Sequence, residues 1–342
     1  MTIHAEKLLK NLWQKGCDFL GCKYAILGGA MTWVSNAKLV ASISNAGGFG
    51  VLACGSMTPD ILDEEIKKTK ELTSKPFGVN LITLHPMLTD LIDVVGKHQI
   101  SHVVLAGGLP TNESITRLKD YGCKVIGFAP ALILAKKLQR SHIDAIIIEG
   151  AEAGGHIGPV STSVLAQEIL PHIRDIPVFV AGGIGRGEAI VAYLQMGASG
   201  CQLGTRFVCA EESPAHADFK KAFIRGNARD AVASVQLDPR FPVIPVRALA
   251  NKASKNFIEQ QAEIITRFDR GEIELKEGQL EIEHFWAGAL RRAVIDGDIE
   301  NGSIMAGQSV GMVTKEQPTQ EIIDELIDQA HNYLLSQSMH YG

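Results

Sequence analysis

Between Tyr24 and Phe207 the chain alternates short apolar runs with amphipathic stretches. The runs read YAILGG (24–29), GFGVLA (48–53), FGVNLI (77–82), HVVLAGG (102–108), KVIGFAP (124–130), DAIIIEG (144–150), PVFVAGG (177–183) and GCQLGTRF (200–207). They are nearly continuous in apolar residues instead of alternating, which is the pattern of parallel strands buried on both faces. They recur about 20 to 30 residues apart, the spacing of strand–helix units. The segments between them are helical in period. AKLVASISNAGG sets apolar residues on one face and stops at glycines. TPDILDEEIKKTKEL opens with Thr58 as N-cap and Pro59 at the first helical position, with acids behind them.

Eight such units predict an α/β fold, a (β/α)8 TIM barrel. A barrel is preferred to an open doubly wound sheet because glycines follow most of the strands, and barrel sites are assembled from the loops at the strands' C-terminal ends. Beyond about Ala210 the pattern changes. IEQQAEIITRFDRGEIELKEGQLEIEHFWAGALRRAV is charged and helical in period, with solvated faces. The expected organisation is an N-terminal helix in 1–23, the barrel in 24–232, and a mainly helical subdomain in 233–342. No low-complexity linker separates the parts, so the subdomain is expected to lie on the substrate side and close back on the barrel.

An apolar content of 46% supports a sizeable core. A net charge of −5, with no basic cluster and few aromatics, argues against nucleic acid as a partner. No apolar run approaches the roughly 20 residues of a membrane helix, and the polar N-terminus lacks a signal-peptide core. A cytoplasmic protein is expected, with no membrane partner. The six cysteines are scattered without a CxxC pair, which reads as reduced thiols and no metal site.

Two glycine motifs, AGGIGRGEA (181–189) and QLGTRF (202–207), follow the last two strands. Glycine there leaves backbone N–H groups uncovered, and barrel enzymes commonly bind phosphate in these two loops. Gly182, Gly183, Gly204 and Thr205 fall at those positions; the plain alternative is turn glycines. After the sixth strand, His156 stands among Gly154, Gly155 and Gly158. An imidazole at the C-terminal end of a barrel strand suits acid–base work near neutrality.

EGAEAGGHIG (149–158), AGGIGRGEAIVAYLQMGASGCQLGTRF (181–207), GGAMTWVSNAKLVASISNAGGFG (28–50) and KPFGVNL (75–81) resemble the nitronate monooxygenase family. These FMN-dependent barrels, once called 2-nitropropane dioxygenases, include the FMN-dependent type II enoyl-acyl-carrier-protein reductases. The similarity runs from about Tyr24 to Val313. It implies an FMN whose phosphate lies on Gly182, Gly183, Gly204 and Thr205. The ring would lie against Gly29, Ala30, Met31 and Asn80, with Gln202, Gly154 and Gly155 nearby. The resemblance also assigns Glu149 and Ala181 to the cofactor, Met305 and Gln308 to the substrate side, and the catalytic role to His156. Reductase members tend to read Gln-Gly-Gly-Met where this chain has Gly28-Gly29-Ala30-Met31, and nitronate oxidisers often read Ala-Pro-Met.

Two reactions follow from the resemblance. An NAD(P)H-dependent reductase would pass hydride through FMN N5 to an enoyl thioester, with NAD(P)H as co-substrate and a small-molecule or acyl-carrier-linked substrate. The stretch GDIENGSIMAGQSVGMVTKEQP (297–318) resembles the type II enoyl reductases and favours this reading. A nitronate monooxygenase would oxidise alkyl nitronates with O2, and a quinone reductase is a third outcome. A homodimer is compatible with each. A colourless phosphate-binding barrel, such as an isomerase or a ligand-binding regulator, is the reading outside redox chemistry.

Overall fold

The computed structural model describes residues 2–340. Each of the eight apolar runs carries a strand: β1 (Ile26–Gly28), β2 (Phe49–Ala53), β3 (Gly78–Ile82), β4 (His102–Ala106), β5 (Lys124–Phe128), β6 (Ala145–Glu149), β8 (Val178–Ala181) and β9 (Gly200–Leu203). All pair in parallel with their neighbours, and β9 returns to β1, so the sheet is a closed barrel. Successive residues of a strand point to opposite faces. Even so, Ile146, Ile147 and Ile148 are all fully buried, because the helices cover the outer face and the barrel fills the inner one.

The crossover helix Pro59–Leu72 starts as read, with the Thr58 hydroxyl accepting the N–H of Ile61 at 3.4 Å. The N-terminal segment forms two helices, Thr2–Leu12 and Gln14–Leu20. The second brings Phe19 against Phe179 and, edge-on, against His102. The Phe19 carbonyl accepts from His102 Nε2 at 2.8 Å and from Lys124 Nζ at 2.7 Å. Since His102 and Lys124 begin β4 and β5, these contacts close the end of the barrel opposite to the glycine loops.

Residues 233–342 divide into two kinds of structure. The helices Lys252–Asp269 and Leu275–Phe285 share a small core of their own, built on Phe241, Phe257, Ile264 and Ile282. Helix Thr319–His340 packs instead on Gly187–Gln195, Ala37–Asn45 and Thr2–Leu12, in the outer ring of the barrel. A feature without trace in the periodicity is a three-stranded antiparallel sheet. It joins β7 (Gly155–His156), β10 (Ala231–Ala233) and β11 (Val246–Leu249), with β11 in the middle. Among the described residues no helix is long and apolar enough to cross a membrane.

Candidate active site

The strand ends bring polar side chains together without giving them partners. Glu149, Ala181 and Gln202 lie side by side in the register of β6, β8 and β9. The Glu149 carboxyl lies deep in the protein yet still borders open space, and no described residue bonds to it. Desolvation alone pushes its pKa up to about 7. Gln202 is buried, and its amide lies so close to Gly29 that a Cβ there would stand 3.3 Å from its Cδ. On β3, Asn80 spends its Nδ2 on the Val104 carbonyl at 3.1 Å, and no donor among the described residues reaches its Oδ1. Glu149 and Gln202, on the strands either side of β8, border open space without a partner among the described residues, which suits a polar ligand.

The phosphate-type loops have the expected backbone. Gly182 and Gly183 adopt φ of 99° and 70°, where L side chains are strained. Among the described residues, no acceptor takes the N–H groups of Gly182, Gly183, Gly204 or Thr205. A Cβ on Gly182 would stand 2.8 Å from Thr162 Oγ1, and one on Gly183 2.8 Å from Glu152 Cβ. The Met31 thioether lies beside Gly204, which joins the loop after β1 to the loop after β9. That first loop is braced by Ser35, whose Oγ accepts from Met31 N and donates to Gly29 O, both at 3.0 Å. Ala30 is half-buried within it.

His156 sits at the end of a loop tied at several points. Ala151 N–H meets the Val160 carbonyl, and the Glu152 carboxylate accepts from both N and Oγ1 of Thr162. Gln308 N–H donates to the Glu152 carbonyl at 2.9 Å, and Gly307 N–H to Thr205 Oγ1 at 3.0 Å. The reason for glycine at 154 is therefore chain packing: a Cβ there would come within 2.5 Å of Gly307 N, so the space is filled by protein backbone. Gly155, at φ 80°, faces the Met305 sulfur, from which a Cβ would be 3.6 Å. The structure thus brings His156, Gly154 and Gly155 together with Met305, Gln308 and Thr205. The imidazole is exposed and has no partner among the described residues, while desolvation lowers its pKa, so it is neutral at neutral pH. Sequence reasoning missed Glu152, Thr162 and Arg247. Their roles depend on backbone groups that leave no motif.

The nitronate monooxygenase family model matches residues 14–94 and 88–329. A dehydrogenase of a 5-hydroxy-7a-methyl-1-oxo-octahydro-1H-indene-4-carboxyl-CoA from Rhodococcus jostii (strain RHA1) is 37% identical over 221 residues, covering 65% of this chain and 62% of that protein. A probable nitronate monooxygenase from Staphylococcus aureus (strain MSSA476) is 28% identical, with 94% of this chain and 99% of that one covered. Among solved structures, FabK from Thermotoga maritima superposes with a TM-score of 0.85 at 34% identity, over 95% of this chain and 98% of that one. Nitroalkane oxidase from Streptomyces ansochromogenes does so with 0.76 at 25% identity, over 94% and 99%. The chain is an oxidoreductase, and it belongs to the nitronate monooxygenase family.

Proposed function

We propose that the barrel mouth holds FMN and that the enzyme is an NAD(P)H-dependent reductase of α,β-unsaturated thioesters. The observation that carries the cofactor is a set of polar groups without partners among the described residues: the N–H groups of Gly182, Gly183, Gly204 and Thr205, then Glu149 and Gln202 on β6 and β9, and Asn80 Oδ1 on β3. The first group suits a phosphate, held by backbone donors without a side chain between. The second suits the hydroxyl and ring-edge groups of a flavin lying against Gly29, Ala30 and Met31. When bound, FMN supplies hydride transfer at N5. The chain supplies the rest. His156, unpartnered and favoured in its neutral form, polarises the thioester carbonyl through its ring N–H, or in its protonated form assists protonation at the substrate α-carbon. Met305, against Gly155, and Gln308, tied to the Glu152 carbonyl, line the substrate side.

A thioester substrate is supported by the Rhodococcus relative, which acts on a coenzyme A thioester, and by the likeness to FabK over nearly the whole chain. The nitroalkane oxidase from Streptomyces supports a second reading, in which His156 takes a proton from the carbon bearing the nitro group. All six cysteines are free thiols, which supports a reducing compartment, the cytoplasm. The deciding experiment is anaerobic mixing of the yellow enzyme with NADH or NADPH while flavin absorbance is followed. Rapid bleaching is expected. No bleaching at millimolar nucleotide, with turnover on an alkyl nitronate and O2, would replace the reductase reading by nitronate oxidation.

A further inference from the structure

Arg247 stands where three parts of the site meet, yet it is absent from every motif that identifies the family here. Its Cα pairs with Gly155 and that of its neighbour Val246 pairs with His156, so β11 holds the histidine's own backbone. Further along the same strand, Ala248 bridges to Met305 and Leu249 N–H donates to the Ile304 carbonyl. The Arg247 guanidinium then reaches the opposite end of the histidine loop. Nε donates to the Ala151 carbonyl at 2.8 Å, and Nη1 to the Ala231 carbonyl of β10 at 2.6 Å.

The charge is spent in an unusual way. Arg247 is half-buried and has no carboxylate within ion-pair distance among the described residues; desolvation lowers its pKa, and the charge of the nearby Glu152 works against that. Bringing a guanidinium part-way out of water with no direct ion pair is costly, and hydrogen bonds to fixed carbonyls add to the attraction of Glu152 in offsetting that cost. Ala151 is fixed by its bond to Val160, and Ala231 by its pairing with Leu249. The fork therefore clamps the start of the loop to β10 while the strand clamps its end. Alternate residues of a strand point to opposite faces, so Arg247 lies on the face of β11 away from Val246, the residue directly opposite His156. It acts through the backbone and does not touch the imidazole.

We propose that Arg247 is the positioning residue for His156, fixing the height of the Ala151–His156 loop over the barrel mouth. The proposal rests on His156 acting on substrate. A displacement of about 1 Å costs roughly a hundredfold in rate when a reacting group is misplaced. Arg247→Met, which keeps much of the side-chain length and loses both bonds, should retain its FMN and its rate of flavin reduction by NAD(P)H. Its substrate step should fall by about a hundredfold, and amide exchange in residues 151–157 should speed at least tenfold. Arg247→Lys has one donor centre for two acceptors and should recover only part of the loss. In a His156→Ala background, Arg247→Met should slow the substrate step no further. A fast substrate step in Arg247→Met beside a slow one in His156→Ala overturns the proposal alone, as does equal loss in both half-reactions. A fast substrate step in His156→Ala overturns the reading of the site, and the proposal falls with it.

Discussion

Thr205 Oγ1 accepts the N–H of Gly307 at 3.0 Å, so the last barrel loop carries the segment that bears Met305 and Gln308. With the acceptor role filled by Gly307, the hydroxyl proton stays available to a ligand oxygen. Thr205→Val keeps the shape and leaves the buried Gly307 N–H without a partner, a loss of about 1 to 3 kcal/mol. Urea unfolding should register that loss, and FMN titration should show weaker binding as well. Thr205→Ser should restore both. A Val variant as stable as the parent would remove Thr205 from this role.

Gly183 combines a positive φ with a crowded flank. Gly183→Val must strain the backbone, at about 1 to 2 kcal/mol, and push against Glu152 Cβ at 2.8 Å. The shift disturbs the proposed phosphate donor and the histidine loop together. Each charge-assisted bond lost lowers FMN affinity by roughly ten- to a hundredfold. The protein should purify pale and turn yellow only with added FMN. Full flavin occupancy at ordinary affinity would move the phosphate elsewhere.

Glu149 should leave a mark on the FMN-free protein. Its folded pKa of about 7 lies above the ordinary 4.5, so folding favours the protonated form. That contribution is complete below about pH 4.5 and disappears as pH rises through 7. Glu149→Gln should flatten this fall in Tm between pH 5 and 8. Parallel Tm profiles for the two proteins would show that the carboxyl has an undetected partner.

His102, at the closed end of the barrel, has the opposite sign. Burial lowers its pKa from 6.5 to about 4, so the folded state resists the proton that the unfolded chain accepts. Its stability contribution is intact above pH 6.5 and is lost as pH falls toward 4. Over that interval the linkage amounts to about 3 kcal/mol. His102→Gln retains a donor for the Phe19 carbonyl and cannot titrate. Denaturant unfolding at pH 6.5 and 4.5 should therefore show a smaller drop for the variant, and an equal drop would assign the acid sensitivity to other groups.

The barrel was legible because each of its strands is buried on both faces, which leaves continuous runs such as Ile146–Ile147–Ile148. Thr58 and Pro59 marked a helix start through local geometry, and Gly182 and Gly183 marked a loop through backbone conformations closed to other residues. The small sheet was not legible. Its strands are two to four residues long, and each gains its partner only from a distant segment. The same limit hid why residue 154 is glycine, since the group that fills the space is the backbone of Ala306 and Gly307. Arg247 was invisible because its acceptors are carbonyls, which every residue has.

The sheet that frames His156 also sets a timetable for biosynthesis. β7 has no strand to pair with until residues 246–249 have emerged, roughly 5 to 20 seconds after His156 at ordinary rates of translation. The Gly307 tie comes later still, followed by the helix Thr319–His340 that completes the outer ring. The strand that closes the barrel, β9, and the strand that frames the imidazole, β11, therefore leave the ribosome well apart in time. A nascent chain halted between them holds all eight barrel strands but lacks the strand that pairs with the His156 backbone.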